Sequence, residues 1–186
     1  MRHKYTTPGI VLARSPLSEA GMLVTLLTPE LGLIRARAEG LRKSGAKLAH
    51  ALQTLNESEL MLVRGKEGWR LTGAVLAQDR FGMLSRSARI RSARVASLLL
   101  RLVRGEASDP QLHQLFMEFV CALPGLSPED EDSAESLIAL RLLSALGVDA
   151  GSEPPEGYGV DAFSYALENR KDLIVRINRG ILASGL

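Results

Sequence analysis

Residues 34–47, IRARAEGLRKSGAK, set five cations, Arg35, Arg37, Arg42, Lys43 and Lys47, against a single acid, Glu39. Cations at this density suit one chemistry above others. They neutralise closely spaced phosphates, and the counterions released supply sequence-independent affinity for a nucleic acid. Arg35 and Arg37 alternate with Ile34, Ala36 and Ala38, the period of a half-buried strand, so both guanidiniums are predicted on its outer face. Gly40, Ser44 and Gly45 make the following stretch a pliable loop that can approach a backbone closely. Arg14, Arg64, Lys66 and Arg70 lie on or beside neighbouring predicted strands and widen the surface. The arginine side of the first long helix extends it further. A plainer reading stays open: arginines on a solvent face discourage edge-to-edge strand pairing. Aromatics are sparse in the basic part, with Tyr5, Trp69 and Phe81 alone. Single-strand binders usually stack bases on aromatic platforms, so phosphates rather than bases are expected to carry the affinity. Binding should then be tolerant of sequence and steep in salt.

Other chemistries find little support. His3, His50 and His113 fall in different predicted elements, and none has the spacing of a metal-binding pair. Cys121 sits inside FMEFVCALP and reads as a small buried hydrophobe rather than a nucleophile. No phosphate-binding glycine loop, dinucleotide fingerprint or nucleophile-elbow string occurs. The run EDEDSAE opens a predicted helix, where the dipole favours acids, and this accounts for it better than paired catalytic carboxylates do. Met22, Met61, Met83 and Met117 read as core filler. No catalytic residue and no metal site are expected, and an enzyme is the least favoured class.

The elements that must hold the cations follow from periodicity. GIVLARS and GMLVTLLT are apolar, β-branched runs, and the second closes on TPELG, where Pro29 and Gly32 suit a hairpin loop. LIRARAE, LNESELMLVRG and WRLTGAVLAQD complete five strands, with GKEG turning between the last two. KSGAKLAHALQT leaves room for a loop and short helix between the third and fourth. Five strands with that helical insert match the arrangement of small Greek-key barrels of the OB type. From about Phe81 the period becomes helical. One helix ends at Gly105. A second starts at Asp109 and Pro110, a third runs to Leu146 with Gly147 as its cap, and VDAFSYALENRKDLIVRINRGILASGL forms one or two closing helices. The predicted fold class is α+β: a five-stranded OB-fold β-barrel over residues 1–80, followed by an all-α helical domain over 81–186.

The charge balance supports this division. Residues 1–104 hold 18 Lys+Arg against 7 Asp+Glu, and residues 105–186 hold 5 against 14. Such asymmetry points to nucleic-acid binding by the basic half, or to a basic domain docked on an acidic one. The 186 residues, 46% of them hydrophobic, suffice for a real core. With no long uncharged apolar run, no signal-peptide pattern and one cysteine, a cytoplasmic protein is expected.

The run GIVLARSPLSEAGMLVTLLTPELGLIRARAEGLRKS, followed by LAHALQTLNESELMLVRGKEGWRLTGAVL, resembles the RecO recombination-mediator family. The resemblance is good over about the first 80 residues and looser beyond, mainly through LIALRLLSALGV. It implies an N-terminal OB fold on a helical C-terminal domain, binding to single- and double-stranded DNA, and annealing of complementary strands. It also implies partnership with RecR and with single-stranded-DNA-binding protein (SSB), so that RecA can load, in a nucleoid-associated bacterial setting. The family's basic strand and loop fall on Arg35, Arg37, Arg42 and Lys43, with Lys47 beside them. Many members carry a four-cysteine zinc cluster after the LRLLxxLG helix. Here that region, VDAGSEPPEGYGVDAFSYALENRKD, has no cysteine, so no zinc or other cofactor is expected. Arg141, Arg170, Lys171, Arg176 and Arg179, the cations after residue 105, are the candidates for a basic rim that would take the acidic SSB tail. The alternatives are an OB-fold RNA binder and a protein–protein adaptor.

Overall fold

The structure is a computed structural model that describes residues 3–19, 21–39, 47–103, 105–106 and 109–185. Five strands, β1 (Lys4–Pro16), β2 (Gly21–Thr28), β3 (Gly32–Glu39), β4 (Glu57–Gly65) and β5 (Gly68–Gln78), close into a barrel in the order β1-β2-β3-β5-β4. The β3–β5 pairing is parallel and the others antiparallel. Helix α1 (Lys47–Ala51) lies between β3 and β4. This is the OB fold, with the five strands and the helical insert that periodicity predicts.

Alternation builds the barrel interior. Val24, Leu26, Ile34, Ala36, Ala38, Leu60, Leu62, Trp69 and Leu71 form its core, joined by Val11 of β1 and by Leu52 just after α1. β1 serves both sides of the closure. It pairs with β4 from Lys4 to Ile10 and with β2 from Ile10 to Pro16. Where it changes partner, a bulge falls between Val11 and Ala13. There the Val11 N–H donates to the Asn56 carbonyl at 3.1 Å, and the Leu55 N–H donates to the Val11 carbonyl at 2.7 Å. Leu55 takes φ 71°, a conformation costing about 1–2 kcal/mol for a residue with a Cβ. Burial of its side chain, 2% exposed, offsets that cost.

The described residues divide into two compact units, one within 1–83 and 105–113, the other within 84–104 and 114–186. The first unit also contains α2 (Arg80–Met83). The remaining helices are α3 (Arg86–Leu102), α4 (Pro110–Ala122), α5 (Pro128–Ala145), α6 (Val160–Glu168) and α7 (Arg170–Ala183). Ser85 and Ser127 cap α3 and α5, accepting from the N–H of Ala88 and Asp130. α5 is the central element of the second unit, packing against α3, α6 and α7. Accordingly Leu137, Ile138, Leu140, Leu142 and Leu143 are all buried, leaving α5 no single apolar stripe. Gly180 of α7 admits Leu143: a Cβ there would stand 3.0 Å from Leu143 Cδ1. The closing region is two helices, α6 and α7.

Three readings of single residues need correction. Cys121 is exposed. α4 buries Leu112, Phe116, Phe119 and Val120 on one stripe, and Cys121 falls off it. Met61 and Met83, expected as core filler, are 41% and 51% exposed. Met61 stands between Leu60 and Leu62, which take the interior side of β4. Among the described residues, no helix is long and apolar enough to cross a membrane.

Candidate nucleic-acid interface

On β3 the exposure pattern follows the sequence alternation: Ile34, Ala36 and Ala38 are buried, whereas Arg35, Arg37 and Glu39 are exposed. Directly opposed residues on neighbouring strands share a face, so the register decides which cations meet. Arg37 lies opposite Leu23 on β2 and opposite Arg70 on β5. Arg70 in turn lies opposite Val63 on β4, and Val63 opposite Lys4 on β1. One outward row therefore carries Arg37 and Arg70 side by side, with Lys4 two strands further on. Arg35 extends the patch along β3.

The β4–β5 turn closes one end of this surface. Gly65 pairs with Gly68, leaving Lys66 and Glu67 as a two-residue loop. Gly68 takes φ 96°, a conformation that favours glycine. Together Arg37, Glu39, Arg64, Lys66, Glu67, Trp69 and Arg70 border an open groove of ≈ 810 Å³. A smaller groove of ≈ 420 Å³ shares Val63 and Arg70 with it and reaches Lys4, Tyr5 and Met61. The face of strands 2–3 and the β4–β5 loop are where OB folds take oligonucleotides and oligosaccharides.

Two of the groove's arginines have carboxylate partners. Arg37 Nη1 donates to Glu67 Oε2 at 2.7 Å, with the side chains 47% and 81% exposed. Arg64 pairs with Glu106 and also stands 5.0 Å over the Trp69 ring. Among the described residues, Arg35, Lys66 and Arg70 have no carboxylate partner. Trp69 offers no stacking platform: it is 4% exposed and meets Tyr5 edge-on at 5.0 Å between centroids. The groove thus exposes cations and no free aromatic face.

The sequence-predicted cations do not all gather here. Arg35, Arg37, Lys66 and Arg70 belong to this surface. Arg14 is exposed but does not share the row of Arg37 and Arg70: it lies opposite Val24, which lies opposite Ala36, and both are core residues. The bulge between Val11 and Ala13 inserts one residue and reverses the alternation that strict period two implies. Arg42 and Lys43 lie outside the described residues, as does the side chain of Lys47. Lys4, Glu67 and Glu106 were missed by sequence reasoning. Pairing register places Lys4 and the β4–β5 turn places Glu67, whereas Glu106 reaches Arg64 from the segment after α3.

The arginine side of α3 is only partly free: Arg86 and Arg101 are exposed, but Arg94 is paired, as is the neighbouring Arg91. Arg94 grips Glu135 with two bonds of 2.7 and 2.6 Å. Arg91, 15% exposed, donates to Asp132 at 3.0 Å and Glu135 at 2.7 Å and approaches Glu131 at 3.5 Å. The acid run at the start of α5 is therefore the charge partner of α3 as well as a dipole feature. Of the proposed rim cations, Arg170 pairs with Asp132 and Arg176 with Asp149. Arg141 donates to the carbonyls of Pro155 and Gly157 and lies 4.8 Å over the Tyr158 ring. Lys171 and Arg179 are exposed.

Comparison with known proteins agrees with this barrel. Residues 1–80 match the family model for the recombination protein O N terminal domain. Three curated relatives are each called DNA repair protein RecO. The one from Nostoc punctiforme is 29% identical over 152 residues, covering 80% of this chain and 51% of the relative. That from Dehalococcoides mccartyi is 32% identical over 130 residues, 68% of this chain and 51% of the relative. That from Gloeobacter violaceus is 30% identical over 145 residues, with coverage of 77% and 55%. The chain spans about half the length of the curated relatives it matches. With its first 80 residues matching the family's N-terminal domain and folding as the OB barrel, and with relatives that extend the likeness into the helices, the chain belongs to the RecO family.

Proposed function

We propose that the protein is a DNA-repair and recombination mediator that binds single- and double-stranded DNA and anneals complementary strands. With RecR it would help load RecA on DNA coated by SSB. The observation that carries this reading is the juxtaposition of Arg37 and Arg70 on adjacent outward strands, flanked by Arg35 and Lys66. Like charges directly opposed across a sheet are unfavourable by themselves. A phosphate chain lying over them removes that repulsion and gives the arrangement a use.

The mechanism needs no covalent step. Cations along the β3–β5 face neutralise phosphates on one strand, and released counterions drive the binding. Lower net charge on the bound strand reduces its repulsion of a second, so that base pairing proceeds. Trp69 is buried and no base is gripped by its face, so the bases stay available for pairing. The protein is proposed to act in the bacterial cytoplasm as a non-enzymatic factor and without zinc, because VDAGSEPPEGYG offers no thiolate.

Annealing of two complementary labelled oligonucleotides coated with SSB tests the proposal. Protein-dependent duplex formation, abolished together with DNA binding at high salt, is the expected result. An adaptor would show no oligonucleotide binding even at low salt. Preference for RNA over DNA of equal length and sequence would move the function to RNA.

A further inference from the structure

We infer that Glu67 is an internal competitor for the phosphate position on Arg37, so that the β4–β5 turn sets the threshold at which a polyanion enters the groove. This deepens the proposed function and rests on it. Three observations support it. The turn is short and its geometry is set, with Gly65 paired to Gly68 and Gly68 at φ 96°. It therefore holds Glu67 beside the sheet rather than letting it range. Glu67 Oε2 then accepts from Arg37 Nη1 at 2.7 Å, the sort of bond a phosphate oxygen would accept. Lastly, Arg37 stands directly opposite Arg70. An anion at Arg37 relieves the repulsion between them, and in the unbound protein that anion is Glu67.

The pair is built to be exchanged. Its side chains are 47% and 81% exposed, and exposed ion pairs are weak and screened by salt. A lone phosphate gains little by displacing Glu67, since one anion replaces another. A strand that also contacts Arg35, Lys66 and Arg70 gains those further contacts at the same moment. Glu67 thus favours extended polyanions over small anions and keeps each strand's departure easy. Arg64, which also borders the groove, is likewise paired with an acid, Glu106.

The test is a double-mutant cycle read by fluorescence anisotropy with a labelled single-stranded oligonucleotide at fixed low salt. The proteins are the full chain, Glu67→Gln, Arg37→Ala and the double variant. Glu67 is an exposed turn residue whose replacement removes no core contact, and thermal melts check that all four fold. Glu67→Gln should bind about two- to five-fold more tightly, the size expected for loss of an exposed ion pair. That gain should vanish in the Arg37→Ala background. An equal gain in both backgrounds would overturn the inference, because it would reflect overall charge alone. Unchanged affinity on Glu67→Gln while Arg37→Ala weakens binding would overturn it and leave the DNA-binding reading standing. Absence of oligonucleotide binding by the full chain would overturn both.

Discussion

Replacing Arg37 and Arg70 together by alanine separates a phosphate-binding face from a merely solvated one. Four cations, Arg35, Arg37, Lys66 and Arg70, are placed on or beside the β3–β5 face. If each neutralises one phosphate of a single strand, log K falls with log salt at a slope of about −2.8, using about −0.7 per contact. Between 50 and 200 mM salt that is a loss of about 50-fold. The double variant keeps two contacts, a slope of about −1.4 and a loss of about 7-fold. Stability should not suffer. Both side chains are exposed, and their removal relieves a like-charge pair across the parallel strands, so the change should stay within about 0.5 kcal/mol. The assay is an anisotropy titration with a labelled oligonucleotide at four or more salt concentrations, paired with urea melts. A double variant that melts normally and retains the full slope would refute the assignment of phosphate contacts to this face.

Other expectations concern the scaffold. A Cβ on Gly9 would meet Leu60 Cδ1 at 2.7 Å, Thr28 Cγ2 at 2.9 Å and the Leu27 carbonyl oxygen at 3.2 Å. Gly9→Ala should therefore cost about 1–3 kcal/mol by overpacking and lower the urea midpoint. In the helical unit, Asp149 and Arg176 form a buried pair at 2.6 Å, with side chains 8% and 10% exposed. The hydrogen bond from Arg176 holds the Asp149 carboxyl below its ordinary value of 3.8. A depressed carboxyl contributes stability that is fully present above about pH 4 and is lost as pH falls through the folded value. Asp149→Asn should thus lower stability by about 3 kcal/mol at pH 7 and flatten the acid limb of a stability–pH profile. Cys121 is exposed, so the native protein should react with an aromatic disulfide reagent at a rate near that of the unfolded chain. A buried thiol would instead react only on unfolding.

What sequence and structure each contribute can be traced through single residues. The alternation of Ile34 to Glu39 is local, because strand geometry turns each successive side chain to the opposite face. That period alone predicts Arg35 and Arg37 outward, and the exposures agree. The five strands, their helical insert and the change to helices near Phe81 are legible for the same reason: periodicity and turn residues act over a few positions. Arg14 shows where local reasoning stops. A bulge stabilised by backbone bonds to Leu55 and Asn56 reverses its side, and those partners lie some 40 residues away in sequence.

Charge behaves in the same way. Counting cations identifies the basic half, but whether a given cation is free depends on pairing across the chain. The sequence of α3 does not reveal that Arg91 and Arg94 are held by the acids of α5. Nor does any charge run bring Lys4 onto the row of Arg37 and Arg70. By itself, the sequence determined a basic barrel with outward arginines on its third strand, since side-chain alternation and composition are properties of neighbours along the chain. Only the tertiary structure decided that Arg37 and Arg70 stand opposed, that Glu67 sits on one of them and that Arg14 lies elsewhere, since strand register and ion pairing are settled between residues distant in sequence.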